Sequence, residues 1–344
     1  MNSLFTAALS RKAQKIPPIW MMRQAGRYHQ HYQRLREKHS FLELCKKPEL
    51  AAEVAFGPVD EFDFDVAILF SDILFPLEAL GMGLDFGDYG PKLGWQLTQA
   101  RLSELRSVDE ALPHLEFQRE AMKLTRQRIP ASKSLIGFVG GPWTLFSYAV
   151  QGRHDGTLID TKKSLGIFSA FCERIIPLLI KNIQLQFDGG AELVMLFDTA
   201  AGELSPALFN SEVVPQLKKL FERFSGKLGY YSKSTQKSYF KDAIFNNSSL
   251  IAGVGFDHHW DLAKDVFAWR KHGFIQGNFD QALLHLDATD FEKQLRNYLQ
   301  PILELTPEQR CGWICGLGHG VLPKTPEANV KRFVNLVREM CARN

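Results

Sequence analysis

PIWMMRQAGRY, residues 18–28, passes from an apolar run to two arginines, Arg23 and Arg27, on either side of a short turn containing Gly26. The run at 19–22 has the length of a short buried strand, and strands covered on both faces read as continuous apolar segments. It does not stand alone. Comparable runs follow at 66–70, 135–139, 193–197, 228–232, 250–256, 274–277 and 313–317, separated by longer stretches that include helical patterns. Such alternation predicts β-α units feeding a parallel sheet, and eight strands predict a closed (β/α)8 barrel of the TIM type. A chain of 344 residues suits one barrel. No linker or internal repeat interrupts it, so a single domain over 1–344 is expected, with 1–16 as an N-terminal extension.

The helices carry their own punctuation. Residues 167–187 place apolar side chains on one face, with a kink expected at Pro177 and a left-handed stop at Gly189-Gly190. The last helix is predicted to start at Thr325-Pro326-Glu327, with a capping hydroxyl, a proline in the first turn and an acid near the positive dipole end, and to run to about Cys341.

Lysine and arginine number 41 against 38 aspartates and glutamates, a formal charge of +3 that does not imply nucleic-acid binding. The distribution is more informative. Residues 1–36 contain no acid, yet include Arg11, Lys12, Lys15, Arg23, Arg27, Arg34 and Arg36, which points to an anionic ligand. No secretory pattern is present, nor an uncharged apolar span of the roughly 20 residues a membrane crossing needs. A cytoplasmic protein with reduced thiols is expected, since the cysteines (Cys45, Cys172, Cys311, Cys315, Cys341) are odd in number and lack framework spacing.

In a barrel of this kind chemistry gathers at the carboxyl ends of the strands. The polar residues there are Arg23 and Arg27, then Ser71-Asp72, Gly140-Gly141-Pro142-Trp143-Thr144 with Tyr148, Asp198-Thr199, Asp257-His258-His259, Asn278 with Asp280, and Gly318-His319-Gly320. Guanidinium groups grip carboxylates in pairs of bonds, hydroxyls and an imidazole add single bonds, and a lone carboxylate accepts from ligand N–H groups. The set favours an organic anion over a metal. For each residue a structural alternative stands beside that reading: a salt bridge for Asp72, core packing for Tyr148, a helix cap for Thr199 and a solvated loop for His319. The GLGHG run at 316–320 has Val321 where a dinucleotide loop needs its third glycine, and Cys311, Cys315 and His319 lack the spacing of common structural zinc sites.

These residues also carry a family resemblance. PIWMMRQAGR resembles the N-terminal signature of the uroporphyrinogen decarboxylase family, and GFVGGPWTLFSY at 137–148 is similar to its second signature. LCKKPELAAEV at 44–54, FSDIL at 70–74 and LGHGV at 317–321 are similar to further family segments, in order along nearly the whole chain. The resemblance implies a (β/α)8 barrel, usually homodimeric, that removes carbon dioxide from the four acetates of uroporphyrinogen to give coproporphyrinogen in haem and tetrapyrrole biosynthesis, without metal or organic cofactor. It implies that Arg23, Gln24, Ala25, Gly26 and Arg27 form a substrate loop with Arg36 nearby. Asp72 would bind pyrrole N–H groups, and Tyr148, Thr199 and His319 would contact substrate side chains. Arg23, Tyr148, His319 or a held water remain open as the proton donor.

Three places depart from the family pattern: His29-Gln30-His31 for the usual Leu-Pro-Glu, Gln151 for Glu or Ala, and Phe279 and Gln281 within the usual Asn-Leu-Asp-Pro. Two other functions are weighed. Cobalamin-dependent methyltransferases share the barrel but use a His-x-Cys zinc pair at a strand end, and residues 228–233 contain neither His nor Cys. A non-catalytic tetrapyrrole carrier would not require Asp72, Tyr148, Thr199 and His319 together.

Overall fold

The structure is a computed structural model describing residues 1–87, 90–152 and 156–343. Seven parallel strands form one curled sheet in the order β1-β4-β5-β6-β7-β8-β9: β1 (Val66–Ile68), β4 (Ser134–Gly140), β5 (Leu193–Asp198), β6 (Leu228–Ser232), β7 (Gly253–Gly255), β8 (Phe274–Phe279) and β9 (Trp313–Leu317). An antiparallel ribbon outside the barrel pairs β2 (Leu84–Gly87) with β3 (Gly90–Leu93), which no feature of the sequence reading anticipated.

The expected first strand at 19–22 is a correction. It forms a single bridge, Ile19 to Cys315 in β9, rather than a strand. The extended segment nevertheless closes the barrel. Trp20 N–H donates to the Cys315 carbonyl at 3.3 Å, Cys315 N–H donates to Pro18 O at 2.9 Å, and on the other side Asp65 N–H donates to Ile19 O at 2.9 Å. A longer ladder is prevented by chemistry that the apolar pattern hides. Pro17 and Pro18 have no N–H, the Ile19 N–H goes to the Asp65 carboxylate at 2.8 Å, and the Met21 N–H goes to the Gln24 side chain at 3.2 Å.

Alternate residues face opposite sides throughout, as strand geometry demands. Trp20, Met22, Val66, Ile68, Ile136, Leu193, Met195, Tyr231, Phe274 and Ile314 fill the barrel interior. Their neighbours Ile19, Met21, Ala67, Leu135, Val194, Tyr230, Val254, Ile275 and Trp313 belong to the larger core packed under the helices. The amino end of the interior is stoppered by the helix Ser3–Leu9, whose Phe5 and Ala8 are fully buried in the interior cluster. Asn2 caps that helix by accepting from Phe5 N–H at 2.9 Å.

The strand expected over 250–256 is shortened to Gly253–Gly255, and its glycines supply the reason. A Cβ on Gly253 would lie 2.3 Å from Phe274 O, and one on Gly255 3.0 Å from both the Tyr231 ring and the Gln276 side chain. These large neighbours fill the volume that side chains on β7 would need. The helix Phe168–Asp188 runs as one element through Pro177, and the left-handed stop after it falls at Gly190, which has a φ of 106°. The last helix spans Glu327–Arg343. Thr325 does not supply the expected cap: its hydroxyl donates to Leu322 O at 2.8 Å and pairs with His285 at 3.0 Å. Among the described residues no helix is long and apolar enough to cross a membrane.

Candidate active site

The carboxyl end of the barrel gathers residues from the first turn, β1, β4, β5, β6 and β9. After Met22 the chain turns sharply, with Gln24 N–H donating to Met21 O at 3.1 Å and Arg23 at a φ of 57°. A positive φ at a residue with a Cβ is costly, about 1–2 kcal/mol, and such residues concentrate where a side chain must be aimed. The turn leaves Arg23 and Arg27 exposed and Gln24 buried. Gln24 donates to Val66 O at 3.0 Å while accepting from Met21, so its side chain ties the turn to β1 and does not face the cleft. Ala25 packs against Tyr32, Leu44 and Val54. Gly26 sits so close to the Arg23 carbonyl that a Cβ would be 3.2 Å from it.

Asp72 follows β1 and is half-buried. The salt bridge considered for it is absent among the described residues. Its carboxylate accepts from Leu74 N–H at 2.9 Å, and Arg23 acts on it through the field. Burial outweighs both and pushes the carboxyl up to about 6. Tyr148 lies on the helix Pro142–Gln151, half-buried, where burial and the Asp72 charge raise its hydroxyl while Arg23 opposes them. Burial, then Arg23 and Lys233, pushes the half-buried His319 ring down to about 4. Arg23, Asp72, Tyr148 and His319 therefore share one electrostatic environment. Arg36 stands at its edge, donating to His39 O at 2.5 Å and acting with Arg27 on Tyr32.

Glycines let the site close up. A Cβ on Gly320 would lie 2.5 Å from Arg23 Cδ, and one on Gly318 would lie 2.5 Å from the His258 backbone nitrogen. The loop that carries His319 can approach both neighbours only because these positions are bare.

Thr199 is half-buried at the end of β5 beside fully buried Asp198. It does not cap a helix. The capping work falls to Asp198, which accepts from both the N–H and the hydroxyl of Thr144 at 2.7 Å, and from Tyr230 at 3.2 Å. Thr144 in turn accepts from Ala200 N–H at 3.0 Å. This knot sets the helix bearing Tyr148 against the strand bearing Thr199. Other collected polar residues hold loops together: Asp257 accepts from Ser234 N–H at 2.5 Å, and Asn278 donates to Asp257 O at 2.7 Å and Trp260 O at 2.9 Å. Asp280 accepts from Ala282 N–H at 2.9 Å.

Three contributors escaped the sequence reading. Phe138 and Phe197 form a half-exposed aromatic floor, 5.5 Å between ring centres, at the top of the barrel interior. Lys233, exposed just past β6, adds a cation. Strand alternation could have placed both rings inside, and Lys233 is the first charged residue after its strand.

The departures at 29–31 are structural. His29 is buried with Nε2 2.8 Å from Glu61, and His31 Nε2 lies 2.8 Å from Glu53. His29, Glu61 and Glu327 bring ligand-type atoms within 4.8 Å of one another. His29 Nδ1 is sealed without a partner, so the ring proton belongs on Nε2, where Glu61 accepts it. A donating Nε2 has no lone pair for a cation. Phe279 packs on Phe291, Tyr298 and Phe333 in the core, and Gln151 closes its helix before Gly152 with its carbonyl accepting from Gln96 at 2.8 Å.

Residues 1–340 match the family model described as uroporphyrinogen decarboxylase. Relatives of that name include one from Carboxydothermus hydrogenoformans, 33% identical with 99% of this chain and 97% of the relative covered. Another, from Trichlorobacter lovleyi, is 34% identical with both chains fully covered. Among solved structures, a methyltransferase from Methanosarcina mazei superposes with a TM-score of 0.80 over 99% of both chains, at 17% identity, a likeness of fold alone.

Proposed function

The chain belongs to the uroporphyrinogen decarboxylase family, and we propose that its cleft removes carbon dioxide from the four acetate side chains of uroporphyrinogen III, giving coproporphyrinogen III. The observation that carries the reading is that Arg23 and Asp72, which act on each other and on Tyr148 at the carboxyl end of the barrel, have no ion-pair partner among the described residues, and neither has exposed Arg27 in the same turn. Charges left unpaired at such close quarters await a ligand that supplies both carboxylates and N–H donors.

A substrate with eight carboxylates needs cations around it. Arg23, Arg27, Arg36 and Lys233 supply them, and the hydroxyls of Thr199 and Tyr148 add single bonds. An acetate on a pyrrole cannot lose carbon dioxide until the adjoining ring carbon is protonated, because the bonding electrons otherwise have no acceptor. The ring then serves as its own electron sink, the work a cofactor does elsewhere. Asp72 accepts the pyrrole N–H groups and stabilises the cation, a fixed-charge effect worth about 3 kcal/mol or more in a dry site. The floor of Phe138 and Phe197 keeps that surface apolar. Burial moves Tyr148 up and His319 down, so neither is a ready acid at neutral pH, and guanidinium is a poor one.

Anaerobic incubation with uroporphyrinogen III, followed by oxidation and separation of porphyrins by carboxylate number, tests the reading. The four-carboxylate product is expected; recovery of the eight-carboxylate species alone sinks it. Asp72→Asn should bind substrate yet lose about a hundredfold or more in kcat, the usual cost of deleting an electrostatic stabiliser. The methyltransferase alternative draws on the shared fold, but β6 ends Tyr230-Tyr231-Ser232 and is followed by Lys233, with no zinc-binding pair. Tightly held, stoichiometric zinc in purified protein would favour it. A homodimer in the cytoplasm completes the proposal, and sedimentation equilibrium checks the dimer.

A further inference from the structure

Tyr231 projects from β6 into the barrel interior and is fully buried. Its hydroxyl lies 2.8 Å from Gly318 O and 3.0 Å from His319 Nδ1, and its ring stacks on the imidazole with an interplanar angle of 15°. The proton count fixes the direction of both bonds. A carbonyl oxygen brings no proton, so the contact with Gly318 takes the only hydrogen the phenol has. The contact with His319 must then be donated by the ring, from Nδ1–H to the phenolic oxygen. The reverse arrangement would set two oxygens 2.8 Å apart with nothing between them.

A neutral imidazole has one N–H. Burial, with Arg23, Lys233 and His258 outweighing Asp257, holds the His319 ring neutral at pH 7. With the proton on Nδ1, Nε2 is a bare lone pair. That atom has no hydrogen-bond partner among the described residues and is not sealed from solvent, so it opens to the cleft.

We propose that Tyr231 is a positioning residue that locks His319 in the Nδ1–H tautomer, so that His319 meets the ligand as a hydrogen-bond acceptor through Nε2. What it accepts from is a pyrrole N–H, a protonated carboxyl or a bound water. It is not a donor to a substrate carboxylate, which is the task the guanidinium groups perform. Gly318 belongs to the device, because only a bare position lets its carbonyl come down beside His258 to hold the phenol. The inference deepens the decarboxylase reading, on which the identity of the ligand rests, but the tautomer itself does not depend on it.

Long-range nitrogen–proton spectra of uniformly 15N-labelled protein at neutral pH read the tautomer directly, without substrate. The His319 signals are identified by their loss in His319→Gln. A pyrrole-type Nδ1 and a pyridine-type Nε2 are expected in the wild-type protein, and an Nε2–H pattern there overturns the proposal whether or not any variant folds. Tyr231→Phe should shift the population toward Nε2–H and lower kcat by roughly tenfold, the scale of a misoriented group, with KM changed less. A folded Tyr231→Phe protein that keeps the Nδ1–H pattern removes Tyr231 from the role. An Nδ1–H pattern in a protein that leaves uroporphyrinogen untouched supports the lock while sinking the decarboxylase reading.

Discussion

At the scale of single residues, the site is built from groups placed where they are not most stable. Asp72 is the clearest instance. Its carboxyl is moved from 3.8 to about 6 chiefly by burial, so the native state binds this proton more tightly than the unfolded chain does. Above pH 6 the ionised group therefore lowers stability, and the deficit fades as pH falls through 6 and vanishes below 3.8, where both states are protonated. Asp72→Asn should melt above the wild type at pH 8, by at most about 3 kcal/mol, with the gap closing by pH 4. Thermal melts across that range check it; a gap that does not shrink on acidification would remove the buried charge as its cause. Arg23 makes a complementary case, held in the left-handed region and passing over Gly320. Gly320→Ala would press on Arg23 Cδ and Cγ, the flexible part of a side chain, so stability should stay within about 1 kcal/mol of wild type. Activity should not be spared. A shift of the guanidinium of this kind costs roughly tenfold to a hundredfold in kcat/KM.

At the scale of elements, the proposed site depends on how one strand is knotted to a helix that precedes it. Asp198, Thr144 and Ala200 bind β5 to the first turn of the helix Pro142–Gln151, with Thr144 about one turn before Tyr148. Thr144→Val keeps the shape but removes two buried hydrogen bonds and leaves the Ala200 N–H unpaired, which should cost about 2–3 kcal/mol and shift Tyr148. Urea denaturation measures the first effect, and a kcat loss larger than the KM change reports the second. Much of this level was legible in the sequence. The strands at 228–232 and 313–317 carry short, largely apolar runs and have those same bounds in the structure. Residues 19–22 carry an equally good pattern and even alternate correctly between the two sides of the barrel, yet side chains of Asp65 and Gln24 take N–H groups a neighbouring strand would need. Periodicity registers burial, not rival hydrogen bonds. The same limit explains Gln24, which sits between the exposed Arg23 and Arg27 but points inward, and Tyr231, which reads as one more apolar strand residue until its hydroxyl is seen against Gly318 and His319.

At the scale of the whole molecule, the barrel depends on a closure that is only one bridge wide, and Asp65 reinforces it from three directions. The carboxylate accepts from Ile19 N–H at 2.8 Å and from the Asn2 side chain at 3.2 Å, and lies 3.5 Å from Arg338 in the last helix. One buried side chain thus joins the cap of the first helix, the segment that completes the barrel and the helix that ends the fold. The closure also aims the site, since Arg23 follows four residues after Ile19 with only a tight turn between. Asp65→Ala would strand the buried Ile19 N–H and should cost about 2–3 kcal/mol. Asp63→Ala is the matching control: its exposed side chain pairs with Lys133 and Arg338, and surface pairs of that kind contribute about 1 kcal/mol or less. If the closure holds the arginine turn in place, Asp65→Ala should also raise KM for the polycarboxylate at temperatures well below its melting point, while Asp63→Ala leaves KM alone. Equal melting shifts in the two variants, or an unchanged KM in a folded Asp65→Ala protein, would show that the barrel closes and aims its arginines without this carboxylate.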